Sequence, residues 1–249
     1  MDKRPIGVFD SGVGGISVLK EALHQLPQER FLFIGDNRNA PYGIKTADQI
    51  DACVMDVVNS LLQRDIKALV IACNTATAAS AKMLRQTLTI PVIGMEPALK
   101  PAGAMRRDGQ ILVLATPATL HMEKFRLLME KYGEGAVPVE GYGIVECVES
   151  GHIDDSQIEN VLHGLLDEHL KKKTDAIVLG CTHYVFVREA LSRVAPGIPL
   201  VDGNAGTVRQ LKRVLEENGL LSDGTGSAEL HTTGENEIYI PLMEKLLKL

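Results

Sequence analysis

Two cysteines of this 249-residue sequence, Cys73 and Cys181, each close a short apolar run and open a polar one: ALVIAC leads into NTA and AIVLGC leads into THY. A thiol at such a junction, between a buried strand and a helix start, meets free backbone N–H groups that favour its thiolate, and reactive cysteines are found in that setting. The two are related by a repeat. The shift from 73 to 181 is 108 residues, and it also carries Ile90-Pro91-Val92-Ile93 onto Ile198-Pro199-Leu200-Val201 without a gap. A thiol at the same point of each half suits inversion of a stereocentre. One group removes a proton from one face of a carbon and the other returns a proton to the opposite face, which a single fixed base cannot do.

A free thiol, with a pKa of about 8.5, is only a few per cent ionised at pH 7, so each cysteine needs a helper. Asp10, in DSGVGG, is polar at the end of an otherwise apolar strand. Its carboxylate raises a nearby thiol's pKa, so its expected part is to accept or hold the proton of Cys73. His183, two residues after Cys181, accepts a thiol proton when neutral and stabilises a thiolate when charged. The halves are therefore expected to be chemically unequal. Cys53 and Cys147 read as small buried hydrophobes, and the remaining histidines as structural. A metal site on Cys181 and His183 lacks third and fourth ligands at recognisable spacing. DSGVGG, with Asp36 ending the next strand, is not a dinucleotide fingerprint: Ser17 replaces the third glycine and Asp10 would oppose a pyrophosphate. The glycines instead let Ser11 and backbone amides approach a small carboxylate, as the Pro41-Tyr42-Gly43 turn does with amides beside a phenol.

The elements that must hold these groups alternate. Apolar runs at 6–9, 31–35, 68–72, 91–94, 111–115, 176–180 and 199–203 read as strands of a parallel sheet covered on both faces, separated by segments of helical period. Thr46 with Gln49 forms a capping box that opens a helix with Ile50, Val54, Val57, Leu61 and Leu62 on one stripe. A weaker echo pairs IGVFDS (6–11) with ILVLAT (111–116). The fold class is α/β, two similar halves with a site at the seam between them. The division expected is 1–95, completed by 207–249, and 96–206. A net charge of −6 with 45% hydrophobic residues argues against a general nucleic-acid or membrane-surface binder, and no span approaches membrane length. Without a signal-peptide core, and with four cysteines that form no disulfide framework, a cytoplasmic location is expected.

DSGVGG, GDNRNAPYG, CNTA, ATPAT, VESG and GCTHY, in this order from residue 6 to the HTTGE stretch near 235, resemble the glutamate racemases of the aspartate/glutamate racemase superfamily. The resemblance implies two flavodoxin-like halves related by a pseudo-twofold axis and no cofactor. It implies Cys73 and Cys181 as the bases, assisted by Asp10 and by His183 with Glu149; Glu146 competes with Glu149 for that place. Ser11, Asn74, Thr75 and Thr182 would hold the α-carboxylate and ammonium. Pro41, Tyr42, Gly43, Thr116 and Thr119 would line the pocket toward the side-chain carboxylate. A homodimer that supplies D-glutamate for peptidoglycan is implied as well. An aspartate racemase and a binding protein without turnover are the alternatives.

Overall fold

In the computed structural model, which describes residues 1–249, nine strands form two parallel sheets. The first contains β1 (Ile6–Asp10), β2 (Arg30–Gly35), β3 (Ala68–Ile71), β4 (Val92–Gly94) and β9 (Ser227–Thr232) in the order β4-β3-β1-β2-β9. The second contains β5 (Gln110–Ala115), β6 (Ala136–Glu140), β7 (Thr174–Leu179) and β8 (Leu200–Asp202) in the order β6-β5-β7-β8. Apart from β9, the two orders are the same.

The repeat extends to register and to single hydrogen bonds. Ile6 lies opposite Phe31 and Ala68, and Ile111 lies opposite Ala136 and Ala176. Leu69 faces Val92 as Ile177 faces Leu200. The Ala72 N–H donates to Phe9 O and the Gly180 N–H to Leu114 O, both at 2.7 Å. The Asp36 N–H donates to Asp10 O and the Gly141 N–H to Ala115 O, both at 2.9 Å. These pairs match Asp10 with Ala115 and Ser11 with Thr116. After the cysteines, Asn74 corresponds to Thr182 and Thr75 to His183.

Strand alternation places the core. Ile6 and Val8 enter a cluster of 39 buried residues that continues through Leu112 and Leu114 of the second sheet, so one core spans both halves. Phe9 points the other way, into a cluster of 16 under α2 (Ala47–Leu62) and α3 (Asn74–Thr87). Ile111 and Val113 meet α4 (Leu99–Gly103) and α6 (Glu123–Tyr132) in a third. The α2 capping box is present in both its bonds, and Ile50, Val54, Val57 and Leu61 are buried as the stripe requires. Helices α1 (Ile16–Gln25), α10 (Asn204–Glu217) and α11 (Asn236–Lys248) join the shared core, α11 through Met243 and Leu246. No helix is long and apolar enough to cross a membrane.

Two strands escape the apolar-run reading. In β6, AVPVE carries Pro138 and lies at a sheet edge, and in β9, SAELHT alternates polar residues on the other sheet's edge. Edge strands tolerate both features. A buried ion pair anchors the crossover into β9. Lys67 Nζ lies 2.6 Å from Glu29, with the two side chains 0% and 2% exposed, and donates to the carbonyls of Asp2 and Leu220 at 2.7 Å. Glu29 accepts the Ser222 N–H at 2.8 Å.

Candidate active site

Cys73 caps α3, and its Sγ accepts the Ala76 N–H at 3.4 Å. Ser11 Oγ lies at the same distance on the other side. The helix end does not win here. Burial, reinforced by the Asp10 carboxylate, pushes the Cys73 thiol from 9.0 to about 12 despite those two hydrogen bonds, so it rests protonated. Asp10 is fully buried and its own pKa is raised, chiefly by that burial. Its two oxygens accept the Gly12 N–H at 2.9 Å and the Thr182 hydroxyl at 3.0 Å. The hydrogen-bond neighbour of Cys73 is thus Ser11, while Asp10 acts on the thiol through its charge and ties the first half to Thr182 of the second.

Cys181 does not open an α-helix as the sequence suggested. It precedes a 3₁₀ segment, Thr182–Val187, and α9 (Arg188–Val194) follows. The aromatic and β-branched run THYVFV favours a regular α-helix poorly at this point. No backbone amide caps the sulfur. His183 Nδ1 lies 3.6 Å from Cys181 Sγ, and its Nε2 lies 2.6 Å from Glu149 Oε1. Burial opposes a charge on this ring, yet hydrogen bonding to Cys181 and Glu149 outweighs it, and His183 is raised well above 6.5.

Glu149 ends α7 (Ile144–Glu149) in the second half but is held largely by the first. Oε1 accepts the Val13 N–H and Oε2 the Asn37 amide, each at 2.8 Å. Burial pushes this carboxyl up, but His183 and these donors bring it below its ordinary 4.5. Glu146, three residues earlier, faces solvent. The DSGVGG glycines make room for this assembly. A Cβ on Gly12 would lie 1.9 Å from Glu149 Oε1, and one on Gly14 would lie 2.3 Å from His183 Nδ1.

A cluster of hydroxyls joins the two halves beside the start of α3. The hydroxyls of Thr75, Thr116 and Thr119 form a triangle with sides of 2.9 to 3.0 Å. Gly43 packs against it, a Cβ there being 2.9 Å from Thr116 Cβ. Tyr42, after the cis Ala40–Pro41 bond, is buried with its ring tilted against Phe9 and its hydroxyl donating to Asp36 at 2.6 Å. Asn74 is 5% exposed, yet neither its Oδ1 nor its Nδ2 has a partner. A buried amide without partners costs about 1 to 3 kcal/mol per group, so Asn74 carries unused hydrogen-bonding capacity. Sequence reasoning assigned no role to Asn37, although GDNRNAPYG contains it, or to the Val13 amide of DSGVGG, because their common partner Glu149 lies 112 and 136 residues away. The thiols lie in a closed seam, 5% and 9% exposed, and do not line the cavity of about 630 Å³ that opens beside α1, α9 and the end of α11.

The family described as Asp/Glu/Hydantoin racemase matches residues 6–211. The glutamate racemase of Clostridium acetobutylicum is 46% identical to this chain over 98% of each protein. Among solved structures, glutamate racemase from Thermus thermophilus in complex with beta-chloro-D-alanine is 36% identical, with a TM-score of 0.84 over 99% of this chain and 94% of that one. The Francisella tularensis enzyme in complex with D-glutamate is 28% identical, with a TM-score of 0.85 over 100% and 95%.

Proposed function

Since the chain belongs to the Asp/Glu racemase family, we propose that it interconverts L- and D-glutamate, without an added cofactor, by proton exchange at the α-carbon between Cys73 and Cys181. One thiolate takes the α-hydrogen and the C–H electron pair spreads into the α-carboxylate. The opposite thiol then gives its proton to the other face, leaving the first sulfur protonated and the second ionised. Cys73, kept protonated by burial, is the donor in one direction. Cys181 works with His183, whose held proton places a positive charge beside the sulfur.

Asn74, with a free donor and a free acceptor, holds the substrate's carboxylate and ammonium together with Ser11, Thr75 and Thr182. The Thr116–Thr119 pair with Pro41, Tyr42 and Gly43 closes the side-chain end. Asp10 orders Thr182 and keeps Cys73 protonated. The observation that carries the proposal is the equivalence of the two cysteines: each follows the strand paired to the first strand of its half, in the same register. The same reading, extended on the family resemblance, is a cytoplasmic homodimer that supplies D-glutamate to the cell wall, in two domains of 1–95 with 207–249 and 96–206.

The test is L-glutamate in heavy water with no cofactor. Deuterium is expected at the α-carbon of the D product. Cys73→Ser and Cys181→Ser should each lose racemisation by at least about 10²-fold, the lower end of a general base's contribution, while still binding glutamate. Retained racemisation in either variant overturns the two-thiol scheme. Turnover of aspartate in preference to glutamate would move the substrate to the shorter acid, and binding with no turnover in the wild type would indicate a sensor.

A further inference from the structure

We infer that Thr232 and Asn37 are positioning residues for Cys181, acting through Glu149 and His183; the inference rests on the two-thiol reading above. Asn37 follows β2 and is 5% exposed. Its Nδ2 donates to Glu149 Oε2 at 2.8 Å, and its Oδ1 accepts the Thr232 hydroxyl at 2.7 Å.

The chemistry at both ends fixes which way this amide points. An ionised carboxylate only accepts, so Asn37 must turn its NH₂ toward Glu149. Thr232 Oγ1 already accepts the Gly234 N–H at 3.0 Å, which leaves its hydrogen for Asn37 Oδ1. With the Thr232 hydroxyl removed, no group holds the Asn37 carbonyl away from Glu149. A rotated amide would then set oxygen against oxygen, and burial would push the Glu149 carboxyl upward.

Neither residue touches the reacting atoms. Thr232 ends β9, the strand with no counterpart in the second sheet, and lies beyond residues 6–211. The strand that makes the halves unequal therefore supports the thiol of the opposite half. The next residue serves a different branch: the Thr233 hydroxyl donates to Asp36 Oδ1 at 2.6 Å, and Asp36 Oδ2 holds Tyr42.

Thr232→Val removes the hydrogen bond at nearly constant volume, Thr232→Ser keeps it, and Asn37→Leu removes the amide. The readouts are the pH profile of kcat/KM and the carboxyl ¹³C titration of Glu149. For Thr232→Val we expect Glu149 and the acid limb to move up by about one pH unit, and the rate on that limb to fall about tenfold at a given pH, equivalent to ~1.4 kcal/mol, with KM changing less than about threefold. Thr232→Ser should restore both. Asn37→Leu should reproduce the shift, and Thr232→Val should add little to it, because groups acting in series do not add. Thr233→Val should raise KM and leave Glu149 in place.

An unmoved acid limb and an unmoved Glu149 in both Thr232→Val and Asn37→Leu would overturn the inference, as would an equal shift in Thr233→Val. Cys181→Ser, assayed alongside, separates the two failures. If it still racemises, the two-thiol reading is lost. If it is inactive while Thr232→Val behaves as wild type, only the positioning role is lost.

Discussion

Replacing Gly12 with alanine tests whether the glycine loop exists to admit Glu149. Its backbone does not require glycine, since Gly12 is outside the left-handed region, so only space is at issue. The new Cβ would lie 1.9 Å from Glu149 Oε1 and 3.2 Å from His183 Nε2. Reaching a separation of even 3.0 Å requires Glu149 to retreat by 3.0 minus 1.9, or 1.1 Å. A displacement of that size is enough to carry the 2.6 Å contact with His183 or the 2.8 Å contact with Val13 past hydrogen-bond range.

Hydrogen bonds to charged groups are worth about 1.5 to 3 kcal/mol each, and a misplacement of about 1 Å costs about 10² in rate. A kcat loss of about 10²-fold is therefore expected, with stability falling by about 1.5 to 3 kcal/mol if one bond is lost. Loss of optical rotation from pure L-glutamate measures the first and denaturant unfolding the second. The decisive comparison is a double-mutant cycle. In a Glu149→Ala background the clash is gone, and Gly12→Ala should then cost less than about threefold. Gly164→Ala in α8 (Ser156–Leu170), where an added Cβ meets nothing within 4 Å, should keep the wild-type rate and gain about 0.5 to 1 kcal/mol of stability. A Gly12→Ala penalty of equal size with and without Glu149 would refute the reasoning.

Two further outcomes concern stability. Lys67→Met strands Glu29 in the core and should cost about 3 to 5 kcal/mol with kcat per folded molecule unchanged. Lys67→Met/Glu29→Leu should recover most of the loss in the same denaturation assay, and a single variant as stable as wild type would contradict the pairing. With rising pH, His183, raised above 6.5 in the fold, contributes stability that is full below that value and lost as the pH passes its raised one. Cys73 extends the decline, because the unfolded thiol ionises near 9 while the folded one holds its proton to about 12. Unfolding midpoints should fall steadily above neutral pH, less steeply above pH 9 in Cys73→Ser; midpoints that rise there would contradict both signs.

The strands that carry the cysteines were legible because each is apolar on both faces, and the 108-residue shift gave the pairing of the halves before any coordinates. Glu149 could be named but not chosen over Glu146 from sequence, since both lie in one short helix and only the packing of α7 decides which side chain meets His183. Asn37 and Thr232 were not legible. Their significance comes from contacts across 112 and 195 residues, one with a second half and one with an edge strand whose polar alternation hides it. The role given to the glycine loop also changed. Gly12 and Gly14 admit His183 and Glu149, whereas the sequence suggested room for substrate alone.

The closed seam has a kinetic corollary. If the halves parted to admit a molecule as large as glutamate, Val13 and Asn37 would be withdrawn from Glu149 and Asp10 from Thr182, since these contacts all cross the seam. Opening of that kind would undo the Glu149–His183 support of Cys181, whereas Cys73 is held protonated by the burial that closure brings.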